Sequence, residues 1–167
     1  MNSFSDSAVF TDANKVYAGG IVGYNQYATI QNTYSLNILD SVCGIFDDSP
    51  GYTAGICGFS EGGFISDSVV LNSSIKTNGY VDKVCNSQSE MVSCVNNYII
   101  EDMKVTGYEI SCENGAYISK EEVNEKEFFF RPVMDGGKLG WIEGDVWYMN
   151  GSFPYPVLSG VKNQNEL

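Results

Sequence analysis

The feature that most constrains the fold is a stretch of sequence that occurs twice, 35 residues apart. Tyr17–Ile38 aligns with Tyr52–Ser73 without a gap, and seven of the 22 aligned pairs are identical. The identities fall on glycines and aliphatic residues, which constrain the backbone and the core. Self-similarity at a fixed period of about 20 to 50 residues is typical of stacked repeats, in which each unit buries its apolar face against the next.

Two partial copies flank this pair. Ser5–Asp12 resembles Ser66–Ser73, which corresponds to the second half of a unit. Lys83–Ile100 resembles a decayed unit in which Val92 takes the place of Ile65. The sequence therefore predicts about three and a half units.

Each unit has the pattern of two short strands joined by a turn. In the first copy the strands are predicted at Gly20–Asn25 and Thr29–Ile38. Apolar residues alternate along the second strand, which places Ile30 and Tyr34 on the same face. Asn32 has the same parity but is polar, and its short side chain can bond to the local backbone, so a bend is predicted there.

Composition and charge exclude several classes of partner. Among 167 residues there are 18 glycines, 11 tyrosines and 9 phenylalanines, which favours strands and turns over helices. The net charge is −12 and only nine residues are Lys or Arg, so neither nucleic acid nor an anionic membrane surface is an expected partner. No apolar stretch is long enough to cross a bilayer, so no membrane insertion by this segment is expected.

The beginning of the chain indicates a piece of a longer protein. Its first residues lack the basic and apolar regions of a signal peptide. The chain also opens halfway through a unit. We therefore expect further domains to be attached in the parent protein.

The glycine-rich stretches resemble a known motif. Gly20-Ile21-Val22-Gly23 and Gly55-Ile56-Cys57-Gly58, each followed by an aromatic and a polar residue, resemble the GLUG motif. Ala28–Ser35 resembles the usual continuation of that motif. Leu139–Leu158, with two tryptophans and a late Pro-Tyr-Pro, is similar to the segment that often closes such arrays.

This resemblance implies a fold and a setting. Members of the GLUG family repeat the motif in large bacterial surface proteins, in adhesin-like proteins and in non-catalytic parts of immunoglobulin A-specific metallopeptidases. The implied fold is all-β, a right-handed parallel β-helix of about three to four rungs. We assign residues 1–110 to the repeat region and residues 111–167 to a capping segment of the same domain.

The capping segment is predicted from its own residues. Ser119 and Glu122 have the spacing of a capping box, which predicts a short helix over Lys120–Lys126. Aromatic residues follow, and we expect them to pack as a cap over the last rung. They are Phe128, Phe129, Phe130, Trp141, Trp147, Tyr148 and Tyr155. The alternative is a platform on which a carbohydrate stacks.

The five cysteines are interpreted as small buried residues. The chain contains no histidine and no closely spaced cysteine pair, so it lacks the usual zinc ligand sets and no cofactor is expected. Cys57 and Cys85 occupy equivalent places in consecutive units. We predict that they stack as free thiols and do not form a disulfide.

Carboxylates are the remaining candidates for chemistry. Without histidine, the usual Ser-His-Asp and Cys-His arrangements are excluded. Asp47-Asp48 and Glu101-Asp102 are adjacent acids in predicted loops, and a pair of acids is what glycan-cleaving enzymes use. Asp40 with Asp47 and Asp48 could also supply oxygen ligands to calcium.

The residues predict a non-catalytic structural or adhesive module, and the resemblance to the GLUG family implies that it is located outside the cell on a bacterial surface. The insert Asp40–Tyr52 is the candidate specificity loop, with Asp47, Asp48 and Tyr52 as candidate binding residues. The expected partner is a host or matrix protein or a glycan. A carbohydrate-active β-helix enzyme with an acid pair and an inert spacer are the alternatives.

Overall fold

The computed structural model describes residues 3–5, 9–13, 16–36, 38–43, 51–110, 114–144, 146–151 and 153–159. For residues 3–5, 9–13 and 42–43 the backbone alone is described. Asp47 and Asp48 lie outside the described residues.

Short strands dominate the described part of the chain, with two short helices, which confirms the all-β prediction. In chain order the strands are β1 Ser3–Ser5, β2 Val9–Ala13, β3 Tyr17–Gly19, β4 Val22–Asn25, β5 Thr29–Gln31, β6 Thr33–Ser35, β7 Ile38–Cys43, β8 Tyr52–Ala54, β9 Cys57–Ser60, β10 Gly63–Ser66, β11 Val69–Val70, β12 Ser74–Asp82, β13 Val92–Val95, β14 Tyr98–Ile100, β15 Lys104–Glu109, β16 Ala116–Ile118, β17 Trp147–Tyr148 and β18 Val157–Leu158. The helices are α1 Lys120–Val123 and α2 Lys126–Phe130, and a 3-10 turn spans Val133–Asp135.

Parallel pairing between strands of successive units organises the molecule. The parallel sheets of the described strands have the orders β1-β6-β11-β14-β16, β5-β10-β13, β2-β7-β12-β8-β3 and β4-β9, and β15 also pairs with β12. Only β17 and β18 pair antiparallel among the described strands. Because parallel neighbours need a crossover connection, each strand stacks beside its counterpart one unit away and not beside its chain neighbour. The right-handed coil stays a prediction, since these pairings establish parallel sheets but no closed coil.

The register follows the repeat in the sequence. Val22 lies opposite Cys57 and Tyr34 opposite Val69, both at the predicted spacing of 35 residues. The identical pairs Tyr17/Tyr52 and Ile30/Ile65 therefore stack directly upon one another.

The third unit exists as predicted, but the predicted register of its second strand is wrong. Cys57 pairs with Cys85, as the alignment of the decayed unit requires. Ile65, however, pairs with Cys94 and not with Val92, so that prediction is wrong by two residues. A slip of two residues preserves the alternation of side chains, so periodicity alone could not detect it.

The N-terminal partial unit shows the same kind of slip. The sequence aligned Ser5 with Ser66, but Ser3 pairs with Thr33, and Thr33 lies beside Ser68. The difference is four residues, again an even number. The prediction of a partial unit that pairs with the first complete one is nevertheless confirmed by the pairing of β1 with β6.

A left-handed residue marks the same bend in three units. Asn32, Asp67 and Asn96 have φ values of 53°, 51° and 55°. The predicted bend is confirmed, and it splits the expected long strand into β5 and β6. The prediction that Ile30 and Tyr34 share one face is wrong. The bend interrupts the alternation of side chains, and the two residues pack into different clusters.

Two cores lie on opposite faces of the same strands. In β11, Val70 belongs to an inner cluster and its neighbour Val69 to an outer one. The buried residues of the inner cluster are Ile30, Ile56, Cys57, Ile65, Val70, Val84, Cys85 and Ile99. Those of the outer cluster are Tyr34, Val69, Leu71, Ile100, Ile118, Val123, Phe128, Phe129, Leu139, Trp141 and Trp147.

The aromatic closing segment covers the side of the five-stranded sheet. It was expected over the last rung, but its contacts reach back to β6, where the Tyr34 hydroxyl donates to the carbonyl oxygen of Pro156 at 2.8 Å. The Trp141 indole donates to the carbonyl oxygen of Asp67 at 2.9 Å, at one of the left-handed bends. The segment therefore spans several units, because the outward residues of all of them offer an apolar surface.

The capping box at the start of this segment is confirmed. The Ser119 hydroxyl accepts the Glu122 N–H at 3.2 Å, and the Glu122 carboxylate reaches back to the Ser119 N–H. The helix ends at Val123, earlier than predicted, and α2 begins at Lys126.

Candidate binding surface

The glycines of the repeated motif allow backbones to approach closely. The Gly20 N–H donates to the carbonyl oxygen of Gly55 at 3.1 Å, and the Gly55 N–H donates to that of Lys83 at 2.9 Å. A Cβ atom added to Gly55 would lie 2.5 Å from that Lys83 oxygen. In the third unit the equivalent residue is Lys83, which carries a side chain. None of the described strands stacks on Lys83 from the far side, so a Cβ can be accommodated there.

The other two motif glycines bring strands together, Gly23 within its own unit and Gly58 across to the preceding unit. A Cβ on Gly23 would lie 2.6 Å from the carbonyl oxygen of Tyr17, and one on Gly58 would lie 2.7 Å from the Ala18 nitrogen. These contacts hold β4 and β9 against β3. Between the glycines, Ile56 and Cys57 are fully buried, whereas Ile21 and Val22 are half-buried against the same inner cluster.

This close approach creates a continuous group of six aromatic rings, which we call the aromatic ladder. Its members are Tyr17, Tyr24, Tyr52, Phe59, Tyr80 and Tyr108. They come from β3, β4, β8, β9, β12 and β15, so four successive levels of the stack contribute.

The longer column of the ladder holds four tyrosines in register. Tyr17 pairs with Tyr52, Tyr52 with Tyr80, and Tyr80 with Tyr108. Their ring centroids are separated by 5.9, 5.4 and 6.4 Å. The first two contacts are stacked and the last is edge-on, so the ring of Tyr108 turns away from its neighbours.

The shorter column packs beside the longer one. Tyr24 stacks on Phe59 at 6.2 Å with an interplanar angle of 11°. Phe59 approaches Tyr52 at 4.6 Å, and Tyr24 approaches Tyr17 at 5.1 Å. Each such ring pair stabilises the fold by about 0.5–1.5 kcal/mol beyond its buried area.

The ladder is buried in its middle and open at two places. Tyr52 is only 9% exposed, whereas Tyr24 is 41% and Tyr108 is 69% exposed. A ligand could therefore contact the rings of Tyr24 and Tyr108, which pack against Phe59 and Tyr80 of the ladder.

Polar groups border the ladder. The Gln26 amide donates to the Glu61 carboxylate at 3.1 Å, and the Gln88 amide donates to the Tyr52 hydroxyl at 3.0 Å. A hydrogen bond to the Glu61 carboxylate raises the pKa of Tyr24 to about 12, with smaller contributions from burial and from nearby charge. Apolar ring faces beside amide and carboxylate groups can bind a molecule that carries both apolar faces and hydroxyl groups.

One of the three predicted binding residues belongs to this surface. Tyr52 begins β8 and lies at the centre of the ladder. Asp47 and Asp48, from the same predicted loop, lie outside the described residues. The first part of the predicted insert is not a loop, because β7 extends to Cys43.

Most of the ladder was not predicted from the sequence, although signals were present. The pairs Tyr17/Tyr52 and Tyr24/Phe59 were aligned in the repeat, but their exposure could not be read from the alignment. Tyr80 follows Tyr52 by 28 residues, the same spacing that separates Cys57 from Cys85.

Two of the other candidate acids, Asp40 and Asp102, are engaged in surface ion pairs. Glu101 and Asp102 are exposed in a turn, and the Asp102 carboxylate lies 2.9 Å from the Lys120 ammonium. Asp40 lies 3.3 Å from the Lys76 ammonium. Within the described ranges, no group of three or more Cys, Asp and Glu side chains is placed to hold a metal ion.

A different carboxyl group is buried beside a cavity. Asp82 is 5% exposed and lines a cavity of about 570 Å³ that Lys83, Glu109 and Tyr117 also border. Burial raises the pKa of Asp82 to about 6, although N–H groups of Val84 and neighbouring residues bond to the carboxylate and act against this rise.

The predicted pair of thiols is confirmed. Cys57 and Cys85 are free, fully buried and paired across neighbouring strands. A hydrogen bond with Cys57, together with burial, raises the pKa of the Cys85 thiol far above its usual range.

Comparisons with known proteins add nothing to these observations. Neither protein-family models, nor curated proteins, nor solved structures gave a match to the chain. Within the part of the chain that the structure describes, no helix has the length and apolar character needed to span a membrane.

Proposed function

We propose that this chain is a non-catalytic adhesive module of a bacterial cell-surface or secreted protein, and that it binds a glycan through the aromatic ladder. The observation that carries the proposal is the aromatic ladder, whose longer column is open to solvent at Tyr108 and whose shorter column is open at Tyr24. The extracellular setting rests on the resemblance to the GLUG family.

The proposed scaffold is a right-handed parallel β-helix. From β1 to β15, paired parallel strands lie 28 to 36 residues apart, and β16 pairs with β14 at a spacing of 18 residues. The left-handed bend recurs at Asn32, Asp67 and Asn96. Crossovers between parallel strands of one sheet are right-handed in about 98% of cases, which supports the proposed hand.

A glycan suits the chemistry of the ladder. Sugar rings carry apolar C–H faces that can lie on the exposed rings of Tyr24 and Tyr108, and hydroxyl groups that can bond to Glu61, Gln26 and Gln88. Among the described residues, no Lys or Arg side chain lies over a ring of the ladder, so the ladder itself favours a neutral sugar over an anionic one.

The proposal is tested on a glycan array with the purified chain and three variants. Tyr24→Ala and Tyr108→Ala remove the two exposed rings. Phe64→Ala removes an aromatic ring on β10 that is not part of the ladder and whose exposure, 59%, lies between those of the two tyrosines. We expect a saturable neutral glycan whose binding falls about tenfold or more in each tyrosine variant and is unchanged in Phe64→Ala.

Two results would contradict this proposal. The first is a blank array for a chain whose circular dichroism shows folded β structure, which favours the spacer alternative. The second is a glycan whose binding survives the loss of both tyrosines, which places the binding surface elsewhere.

One observation favours a second function, that of a carbohydrate-active enzyme. Asp82 and Glu109 border the same cavity, and the raised pKa of Asp82 is the property of a general acid. The Lys83 ammonium lies 3.4 Å from Glu109, so this carboxylate has a cationic neighbour.

The enzyme alternative has its own test. Release of reducing ends from the glycans that bind is measured for the wild-type chain and for Asp82→Asn and Glu109→Gln. Activity that both substitutions abolish, in chains that still bind the glycan, would replace the non-catalytic proposal.

A further inference from the structure

A cleft lies between the stacked strands and the closing segment. Its volume is about 500 Å³, within the range of about 300–1,000 Å³ that is typical of small-molecule sites. Its walls are the residues after β11, the turn between β14 and β15, helix α1 and Tyr155. It is separate from the aromatic ladder, with which it shares no residue.

The cleft combines an apolar floor with a polar rim. Leu71, Met103 and the ring of Tyr155 supply apolar surface, and Leu71 is part of the buried outer cluster. Ser73 and Ser74, which carry hydroxyl groups, line the same space.

The charges around the cleft favour an anion. Lys104 and Lys120 border it together with Asp102, which gives two positive charges against one negative. Asp102 is paired with Lys120 at 2.9 Å, whereas Lys104 has no ion-pair partner among the described residues. The chain as a whole carries a net charge of −12, so the excess of positive charge at this cleft runs against the overall charge of the protein.

We propose that this cleft binds one carboxylate-bearing sugar residue of the uronic acid class. The carboxylate would lie at Lys104, the sugar hydroxyls at the Ser73 and Ser74 rim, and an apolar ring face against Tyr155. This inference deepens the proposed glycan binding by adding a second, acidic subsite, and in that sense it rests on the proposed function.

The test is a titration of the isotopically labelled chain followed by NMR. The probes are glucuronate, glucose as its neutral counterpart, and acetate as a bare carboxylate. We expect saturable shifts of backbone amides at residues 71–74, 103–104 and 120 with glucuronate, and much weaker binding of glucose and acetate.

Three variants define the role of charge. Lys104→Gln should weaken glucuronate binding about fivefold, and Asp102→Asn should strengthen it because the competing carboxylate is removed. Lys76→Gln, an exposed lysine paired with Asp40, is the matched control and should change nothing.

The outcomes separate this inference from the ladder. Equal binding of glucose and glucuronate, or of acetate and glucuronate, would overturn the assignment to an acidic sugar. Unchanged affinity in Lys104→Gln, or shifts confined to other residues, would overturn the site. Tyr24→Ala should keep glucuronate binding, so failure of the ladder and failure of the cleft are distinguishable.

Discussion

Replacing the buried carboxyl group of Asp82 with an amide should stabilise the protein at neutral pH. One carboxylate oxygen, Oδ1, accepts the N–H groups of Val84 at 3.0 Å and Cys85 at 3.4 Å. The other, Oδ2, is buried without a hydrogen-bond partner among the described residues. In Asp82→Asn the amide oxygen can still accept both N–H groups, whereas the buried charge is removed.

The magnitude follows from the pKa of this group. Burial raises the pKa of Asp82 from 3.8 to about 6, so the folded chain holds the proton more tightly than the unfolded chain. The resulting stabilisation is fully present below pH 3.8 and is lost as the pH rises through about 6. At 1.36 kcal/mol for each pKa unit, the loss amounts to about 3 kcal/mol at pH 7.5.

The assay is urea unfolding at pH 4.0 and at pH 7.5. Asp82→Asn should equal the wild type at pH 4.0 and exceed it at pH 7.5 by up to about 3 kcal/mol in the free energy of unfolding. The surface variant Asp135→Asn serves as the control and should follow the wild type at both pH values. A difference between Asp82→Asn and wild type that does not change with pH, or a loss of stability at both values, would refute the reasoning.

Three further predictions concern the packing of the stack and its closing segment. Gly55→Ala should lower the free energy of unfolding in urea by about 1–3 kcal/mol, because its Cβ would lie 2.5 Å from the carbonyl oxygen of Lys83 in the next unit; a change below about 0.5 kcal/mol would contradict the close approach. Phe129→Ala, at a fully buried ring, should cost about 3–5 kcal/mol by the same measurement, whereas Met134→Ala, at a 99% exposed side chain, should be neutral. Cys57 and Cys85 should resist alkylation in the folded chain at pH 8 and react in urea, as followed by mass spectrometry; rapid labelling of the native protein would show that they are accessible thiolates.

The features of the fold that could be predicted from the sequence are those in which the backbone geometry permits only certain residue types. The glycines at 20 and 55 must stack because another side chain would collide with the neighbouring strand, so their identity in the two copies located the register. The polar residue at Asn32 marked a bend for a similar reason, since Asn tolerates the left-handed conformation that most residues avoid.

The parts that it missed are those in which spacing varies between units. β7, β12 and β15 form a sheet that the alignment had treated as insert or as unmatched sequence, because their side chains are not repeated from one unit to the next. Slips of two and four residues also went undetected, since an even shift leaves the alternating pattern intact.

The candidate site was predicted only in part, for physical reasons. Tyr52 was selected as a loop residue, but its importance comes from three other tyrosines that stack in its column through pairing between distant strands. Asp82 carries no signal in the sequence at all. Its raised pKa depends on burial by β12 and its neighbours, which is a property of the fold.

The unequal spacing of paired residues has a consequence for how such a chain can diverge. Tyr17 and Tyr52 are 35 residues apart and Tyr52 and Tyr80 only 28, yet all three rings share one column. Selection can thus accept insertions and deletions between columns, while a single-residue deletion inside a strand would turn its whole buried face outward. Homologues should therefore differ in the number of residues per repeat but keep the same kinds of residue in each stacked column. A search that aligns the columns should be more sensitive than one that assumes a fixed repeat length.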